Sequence, residues 1–211
     1  MHWQEWYLLF LQQMKQTSPL EWIAVIMGIA EVLLARINNV WLYPAGILGT
    51  ILGTYLYFNS GLFAESLLNV YYLVMSFYGW YYWIKKTNEP PVEISYSTAK
   101  EWLVTIAISL LGGLFLYFIL KNFTSSTVPI WDAWVSSTAW AGMWLLARRK
   151  IENWVLLNIS NIFAIPLCFY KGLALFGFLT IFFFVIGTWG FFDWRRIYRQ
   201  EKIKRKLTLV S

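Results

Sequence analysis

Two amide side chains stand inside a long apolar stretch in the C-terminal third of the sequence. Trp154, Asn158 and Asn161 are spaced by four and three residues, which puts all three on one face of a helix. An amide deep inside an apolar helix is costly unless it is hydrogen-bonded or solvated. The spacing alone leaves two interpretations equally open, a substrate-binding face and hydrogen bonding to a neighbouring helix.

A second polar and aromatic face is predicted in the third apolar stretch of the chain. It presents Asn69, Tyr72 and Ser76 and continues into Trp80 and Trp83. An asparagine followed by aromatic rings suits a flat heteroaromatic ligand, held by stacking and an amide hydrogen bond. Tryptophans near the end of a span are typical of an interfacial belt. Trp80 and Trp83 are therefore interpreted mainly as anchors, and the first three residues as candidate site residues.

The chain offers little for catalysis or for a metal ion. Its single cysteine, Cys168, lies in an apolar stretch, and its single histidine, His2, lies at the N-terminus. Zinc sites and Ser-His-Asp or Cys-His catalysis are therefore not expected. Glu31 and Asp132 are the only acids that read as buried, and they form no catalytic pair in the sequence. A membrane enzyme and a scaffold remain distant alternatives, and no cofactor is predicted.

Glu31 falls within the first predicted span, where a charge needs an explanation. One interpretation pairs its carboxylate with Arg36 or Arg148 near the inner face. The other makes it a partner for a proton or a cation.

The elements that carry these residues are predicted to be membrane helices. The chain is 59% hydrophobic and 13% charged, too apolar to cover a soluble surface. Continuous apolar runs favour helices over a barrel. The seven predicted spans, with six or eight also possible, are 20–36, 40–58, 63–84, 101–120, 131–147, 151–170 and 173–193. Residues 1–16 are amphipathic and are expected to lie on the outer face.

The basic residues indicate the orientation of the spans. With the C-terminus inside, 14 of the 17 lysines and arginines fall in inner segments and 3 in outer ones. The three outer residues are Lys15, Lys121 and Lys171. The net charge of +6 is therefore interpreted as a topology signal and not as nucleic-acid binding. The N-terminus is expected outside and the C-terminus in the cytoplasm.

An internal repeat relates the two halves of the chain at an offset of 111 residues. It pairs Gly61-Leu62 with Gly172-Leu173, and it also pairs Gly79 with Gly190 and Trp83 with Trp194. A looser match pairs Ala35-Arg36 with Ala147-Arg148. The predicted fold is all-α, with two parallel three-helix repeats joined by one linking helix. Its parts are an amphipathic segment (1–19), the first repeat (20–84), a loop and linking helix (85–130), the second repeat (131–194) and a basic tail (195–211).

The sequence resembles the PnuC family of bacterial vitamin transporters, which carry nicotinamide riboside. The resemblance covers roughly residues 20–195. Its motifs are Ser60-Gly61-Leu62, Tyr71-Tyr72-Leu73, Tyr78-Gly79-Trp80-Tyr81, Ala147-Arg148-Arg149-Lys150-Ile151-Glu152-Asn153-Trp154, Tyr170-Lys171-Gly172-Leu173 and Trp189-Gly190. It implies a fold similar to SWEET sugar transporters, a homotrimer in the bacterial inner membrane, and facilitated diffusion followed by cytoplasmic phosphorylation that traps the product.

Two departures from the family pattern concern the expected substrate. Trp154 and Asn161 match the family's sixth span, but Leu157 stands where an aromatic residue is usual. Asn69 stands where the riboside carriers usually have a glutamine. Nicotinamide riboside is therefore the first expectation, and thiamine or another flat vitamin is the alternative. No lysine or arginine falls in mid-span, so a phosphorylated substrate is not expected.

Overall fold

The computed structural model describes residues 3–59, 63–84 and 93–208. Within these residues the chain forms helices and one isolated bridge between Ser95 and Lys150. In chain order the described helices are α1 (Trp3–Gln16), α2 (Pro19–Arg36), α3 (Leu42–Asn59), α4 (Phe63–Ile84), α5 (Ala99–Phe123), α6 (Pro129–Ala147), α7 (Asn153–Tyr170) and α8 (Ala174–Thr208). The Gly61-Leu62 match of the repeat lies outside the described residues, as do the basic residues Lys85 and Lys86.

Helix starts follow local signals in the sequence. Ser18 and Thr98 each begin a capping box, in which the hydroxyl accepts from the backbone of a glutamate three residues later. The carboxylate of that glutamate accepts from the cap residue's backbone, at 2.6 Å for Ser18. Proline occupies the first turn of α2 and α6, where its missing N–H costs nothing.

The membrane character of the chain is confirmed. Within the described residues, Ala99–Phe123, Asn153–Tyr170 and Ala174–Arg205 are long and apolar enough to cross a bilayer. A fourth span results if Gln4–Gln16 and Pro19–Arg36, bent by 112° at their junction, are taken together. The full number of seven spans stays a prediction. The basic segment after residue 194 continues α8 as a helix to Thr208.

The first two helices of the described chain pack against its last helix. α2 contacts α3 and α8, α3 contacts α4, and α6 contacts α4, α5 and α7. Glycines permit close approach of α2 and α3, because a methyl group at Gly49 would lie 3.2 Å from Met27 Cβ. The amphipathic α1 lies against α8. Gln13 Nε2 donates to the Gly172 carbonyl at 2.7 Å, which holds α1 to the turn before α8.

Two tryptophans make reciprocal hydrogen bonds between the halves of the chain. Trp83 Nε1 donates to the Ala147 carbonyl at 3.1 Å, and Trp194 Nε1 donates to the Ala35 carbonyl at 3.0 Å. These are residues that the sequence repeat pairs with each other. The last helix of each half thus caps the first helix of the other. Trp83 is 8% exposed, so its interpretation as an interfacial anchor is wrong.

The turn between α6 and α7 is held by the segment before α5 and by the first turn of α5. Ile151 N donates to the Ser95 carbonyl at 3.0 Å, and Lys150 Nζ lies 3.1 Å from Glu101. The guanidinium of Arg149 lies 3.9 Å above the Trp83 ring. Burial lowers the pKa of Arg149 below its ordinary value. The Arg-Lys-Ile-Glu-Asn-Trp run therefore serves mainly to fix this turn, which sets the start of α7.

Trp194→Phe keeps an aromatic ring but removes the indole donor to Ala35. We expect a loss of about 1 kcal/mol in unfolding free energy, because a buried hydrogen bond between α8 and the end of α2 is lost, while the Ala35 carbonyl keeps its bond from Asn38 N. The measurement is unfolding of the purified protein by titration with SDS in mixed micelles. Trp41→Phe is the matched control, because Trp41 is 66% exposed. Equal stability of the two variants would contradict the structural role of this bond.

Candidate functional site

A cavity of about 210 Å³ lies between α2, α6, α7 and α8, next to the reciprocal tryptophans. Its walls are mostly apolar and carry few polar groups. The lining residues are Gly28, Glu31, Val32, Ala35, Met143, Leu146, Trp154, Leu157, Asn158, Asn161, Phe183 and Gly187. An apolar cavity with a few converging polar side chains is the usual form of a small-molecule site.

Trp154 lies at the first turn of α7, where the cavity meets the core. Its side chain is 1% exposed and packs edge-on against Trp194, with ring centroids 5.7 Å apart. Gly190 makes room for it, because a methyl group there would lie 2.7 Å from the indole. Its Nε1 has no hydrogen-bond partner in the described part of the chain. The Trp154 ring is therefore part of the buried core, and its indole N–H is a donor that no described residue uses.

The two asparagines of α7 differ in how far the protein satisfies them. Asn158 Nδ2 donates to Thr188 Oγ1 at 3.0 Å, and its Oδ1 is buried without a partner among the described residues. Asn161 lines the cavity and is partly buried. In the residues that the structure describes, its amide makes no hydrogen bond. Asn161 therefore offers the cavity a donor and an acceptor, whereas Asn158 is half committed to α8.

Glu31 brings a carboxylate to the same cavity from α2. Neither of its expected partners pairs with it. Arg36 Nε binds Asp193 at 2.6 Å, and Arg148 lies 3.4 Å from Glu101. In the described part of the chain, no ion pair or hydrogen bond of Glu31 is formed. The pairing hypothesis is wrong, and the alternative of a proton or cation partner stays open.

The structure brings together one predicted face but not the other. Trp154, Asn158 and Asn161 all line the cavity. Asn69 does not, because its Nδ2 points to α3 and donates to the Thr50 carbonyl and to Thr54 Oγ1, both at 3.2 Å.

Tyr72 and Ser76 also lie outside the cavity lining. Tyr72 packs with the cluster around Trp140, between α4, α5 and α6. Ser76 is 1% exposed, and its hydroxyl has no partner among the described residues. Contact of the substrate with Asn69, Tyr72 and Ser76 stays a prediction. The position of the cavity does not support it.

Several lining residues were not selected from the sequence. Gly28, Phe183 and Met143 are ordinary in apolar helices, and no sequence signal marks them. Leu157 packs on Gly142, where a methyl group would lie 2.8 Å from its Cδ2. Leu157 stands where the family usually has an aromatic residue, and this departure was the sequence signal that could have assigned Leu157 to the cavity lining. Glu31 carried the clearest signal, as an acid in the middle of a span.

The two asparagines are expected to respond differently to leucine substitution. Asn158→Leu removes a bond between α7 and α8 and should cost about 0.6 kcal/mol of unfolding free energy. Asn161→Leu removes no bond within the described chain and should leave stability unchanged. SDS titration of both variants measures the difference. An equal loss in Asn161→Leu would indicate that its amide is structural.

Comparison with known proteins places the chain in a family of transporters. The profile described as Nicotinamide mononucleotide transporter matches residues 18–196. The Nicotinamide riboside transporter PnuC of Escherichia coli (strain K12) is 23% identical, over 74% of this chain and 76% of that protein. The Riboflavin/roseoflavin transporter RibM of Streptomyces davaonensis is 25% identical, over 80% and 81%.

One solved structure supports the fold. The crystal structure of the Vitamin B3 transporter PnuC matches with a TM-score of 0.68 and 22% identity, over 92% of this chain and 87% of that one. The arrangement of helices is therefore shared. Because the profile match spans residues 18–196, this chain belongs to the nicotinamide mononucleotide transporter family, whose members are membrane transporters and not enzymes.

Proposed function

We propose that this chain carries nicotinamide riboside across the cytoplasmic membrane by facilitated diffusion. The observation that carries the proposal is the cavity, which joins the flat ring of Trp154 to the unpaired amide of Asn161. A pyridinium ring is flat and positively charged, and aromatic faces attract such rings. The sugar hydroxyls offer donors and acceptors that suit a free amide.

The cavity also favours an unphosphorylated solute. No lysine, arginine or histidine is among its described lining residues. A phosphate group would lose its hydration without gaining a cationic partner, which is unfavourable in an apolar site. Phosphorylation in the cytoplasm would then trap the solute, because the product no longer fits the carrier. Net uptake in this scheme needs no coupled ion.

The membrane arrangement we propose has seven spans. The units α2–α4 and α6–α8 form two parallel repeats linked by α5, with α1 on the outer face. The reciprocal bonds of Trp83 and Trp194 support this pairing, because they connect positions that match in the repeat. The basic segments of the chain support an outside N-terminus and a cytoplasmic C-terminus. A homotrimer in the bacterial inner membrane is supported by the family resemblance.

Thiamine is the second candidate. It is also a flat cation, and Leu157 in the cavity wall replaces the usual aromatic residue of the riboside carriers. Riboflavin is carried by a relative, according to that protein's name. It is less favoured here, because the cavity of 210 Å³ lies below the range of about 300–1,000 Å³ that is usual for drug-sized ligands.

The test is a tryptophan-fluorescence titration of the detergent-purified protein, whose 14 tryptophans report on binding. Nicotinamide riboside, thiamine, riboflavin and nicotinamide mononucleotide are compared in parallel. We expect saturable quenching by the riboside and none by the mononucleotide. Saturation by thiamine alone would reassign the substrate and keep the mechanism. Tighter binding of the mononucleotide than of the riboside would refute the proposed exclusion of phosphate.

Asn161→Leu is expected to weaken riboside binding by at least about tenfold, since one or more hydrogen bonds to the ligand are lost in a desolvated site. Isothermal titration calorimetry measures the affinity, and entry of labelled riboside into protein-containing vesicles measures transport. Thr180→Val is a control outside the cavity lining: the Thr180 hydroxyl donates to the Phe176 carbonyl of its own helix. Unchanged affinity in Asn161→Leu would remove this amide from the site.

A further inference from the structure

Glu31 is a carboxylate that the packing of the bundle does not require. It lies within α2 and lines the cavity, and the two arginines expected from the sequence as its partners, Arg36 and Arg148, pair with other residues. An isolated charge in an apolar surrounding is costly, so such residues persist where a ligand or a partner compensates them. Within the described chain no such partner is present.

Gly46 creates the space that this carboxylate occupies. A methyl group at position 46 would lie 2.6 Å from Oε1 and 3.0 Å from Oε2 of Glu31. Both oxygens therefore rest against the backbone of α3. In the second half of the chain, α6 and α7 approach closely at Gly142, where Leu157 fills the contact with apolar atoms. The second unit shows that this kind of contact can be made without a charge.

The surroundings of the carboxylate leave its charge uncompensated. No lysine, arginine or histidine is among the described residues that line the cavity around it. Trp154 lines the same cavity and presents an aromatic ring. A positively charged ring bound there would meet an anion and an aromatic surface together, and both attract a cation.

We propose that Glu31 is the counter-charge that makes the cavity select a positively charged heteroaromatic ring over a neutral one of the same shape. The inference rests on the proposed function, which it deepens from a vitamin carrier to a carrier selective for cations. Glu31 acts as a specificity-determining residue in this scheme. Trp154 and Asn161 supply stacking and hydrogen bonding that a neutral ring can also use.

The experiment compares nicotinamide riboside with its dihydro form, whose ring is neutral and nearly the same size. Isothermal titration calorimetry measures both affinities in the unmodified protein and in Glu31→Gln, which keeps the shape of the side chain and removes its charge. We expect the unmodified protein to favour the cation, and Glu31→Gln to weaken cation binding by about tenfold or more. Binding of the dihydro form should stay within about twofold. Glu31→Asp, which retains the charge, should restore part of the preference.

The outcomes separate this inference from the function on which it rests. Equal weakening of both ligands in Glu31→Gln would indicate a structural role and overturn the inference alone, as would unchanged cation affinity. Thiamine is titrated in parallel. If the protein is a thiamine carrier, Glu31→Gln should weaken thiamine binding in the same way. If the unmodified protein binds neither cation, the proposed function fails as well. Should Glu31→Gln not remain folded by size-exclusion chromatography, a lack of cation preference in folded Glu31→Asp would be the refuting result.

Discussion

The carbonyl groups at the ends of α2 and α6 set the main constraint on this structure. The last carbonyls of a helix have no partner within it, and an apolar surrounding offers no water to replace one. Here the indole N–H of Trp83 supplies a donor to the Ala147 carbonyl, and the indole N–H of Trp194 adds a second donor to the Ala35 carbonyl, which also accepts from Asn38 N. Each bond ties the last helix of one half to the first helix of the other. The two halves therefore hold each other closed at this end.

The cavity depends on the same contacts. Trp154 packs edge-on against Trp194, so the ring that borders the cavity rests on a ring that closes the bundle. Ala35 and Leu146 belong both to the cavity wall and to the buried cluster around the tryptophans. The cavity wall and the packing between the two halves therefore share these side chains.

The sequence predicted the helices and the helix face that lines the cavity, for identifiable reasons. A helical spacing places Trp154, Asn158 and Asn161 together whatever the neighbouring helices do. The same reasoning could not place Asn69, because whether an amide faces a cavity or another helix depends on the partner helix. It also could not distinguish a buried Trp83 from an interfacial one, since the two positions on a helix look alike in composition.

The polar residues of the spans differ in whether other residues of the protein satisfy their hydrogen-bonding groups. Asn69 donates a hydrogen bond from its amide to α3, and it lies away from the cavity. Asn158 is half satisfied by Thr188, and Asn161 and Glu31 are unsatisfied in the described chain. The cost of leaving such groups unpaired in an apolar bundle is recovered only when something else pairs with them. Unmet hydrogen-bonding and charge capacity marks Asn161 and Glu31 as site candidates because both also line the cavity, whereas the unpartnered Ser76 lies away from it. This combination is visible only once the helices are assembled.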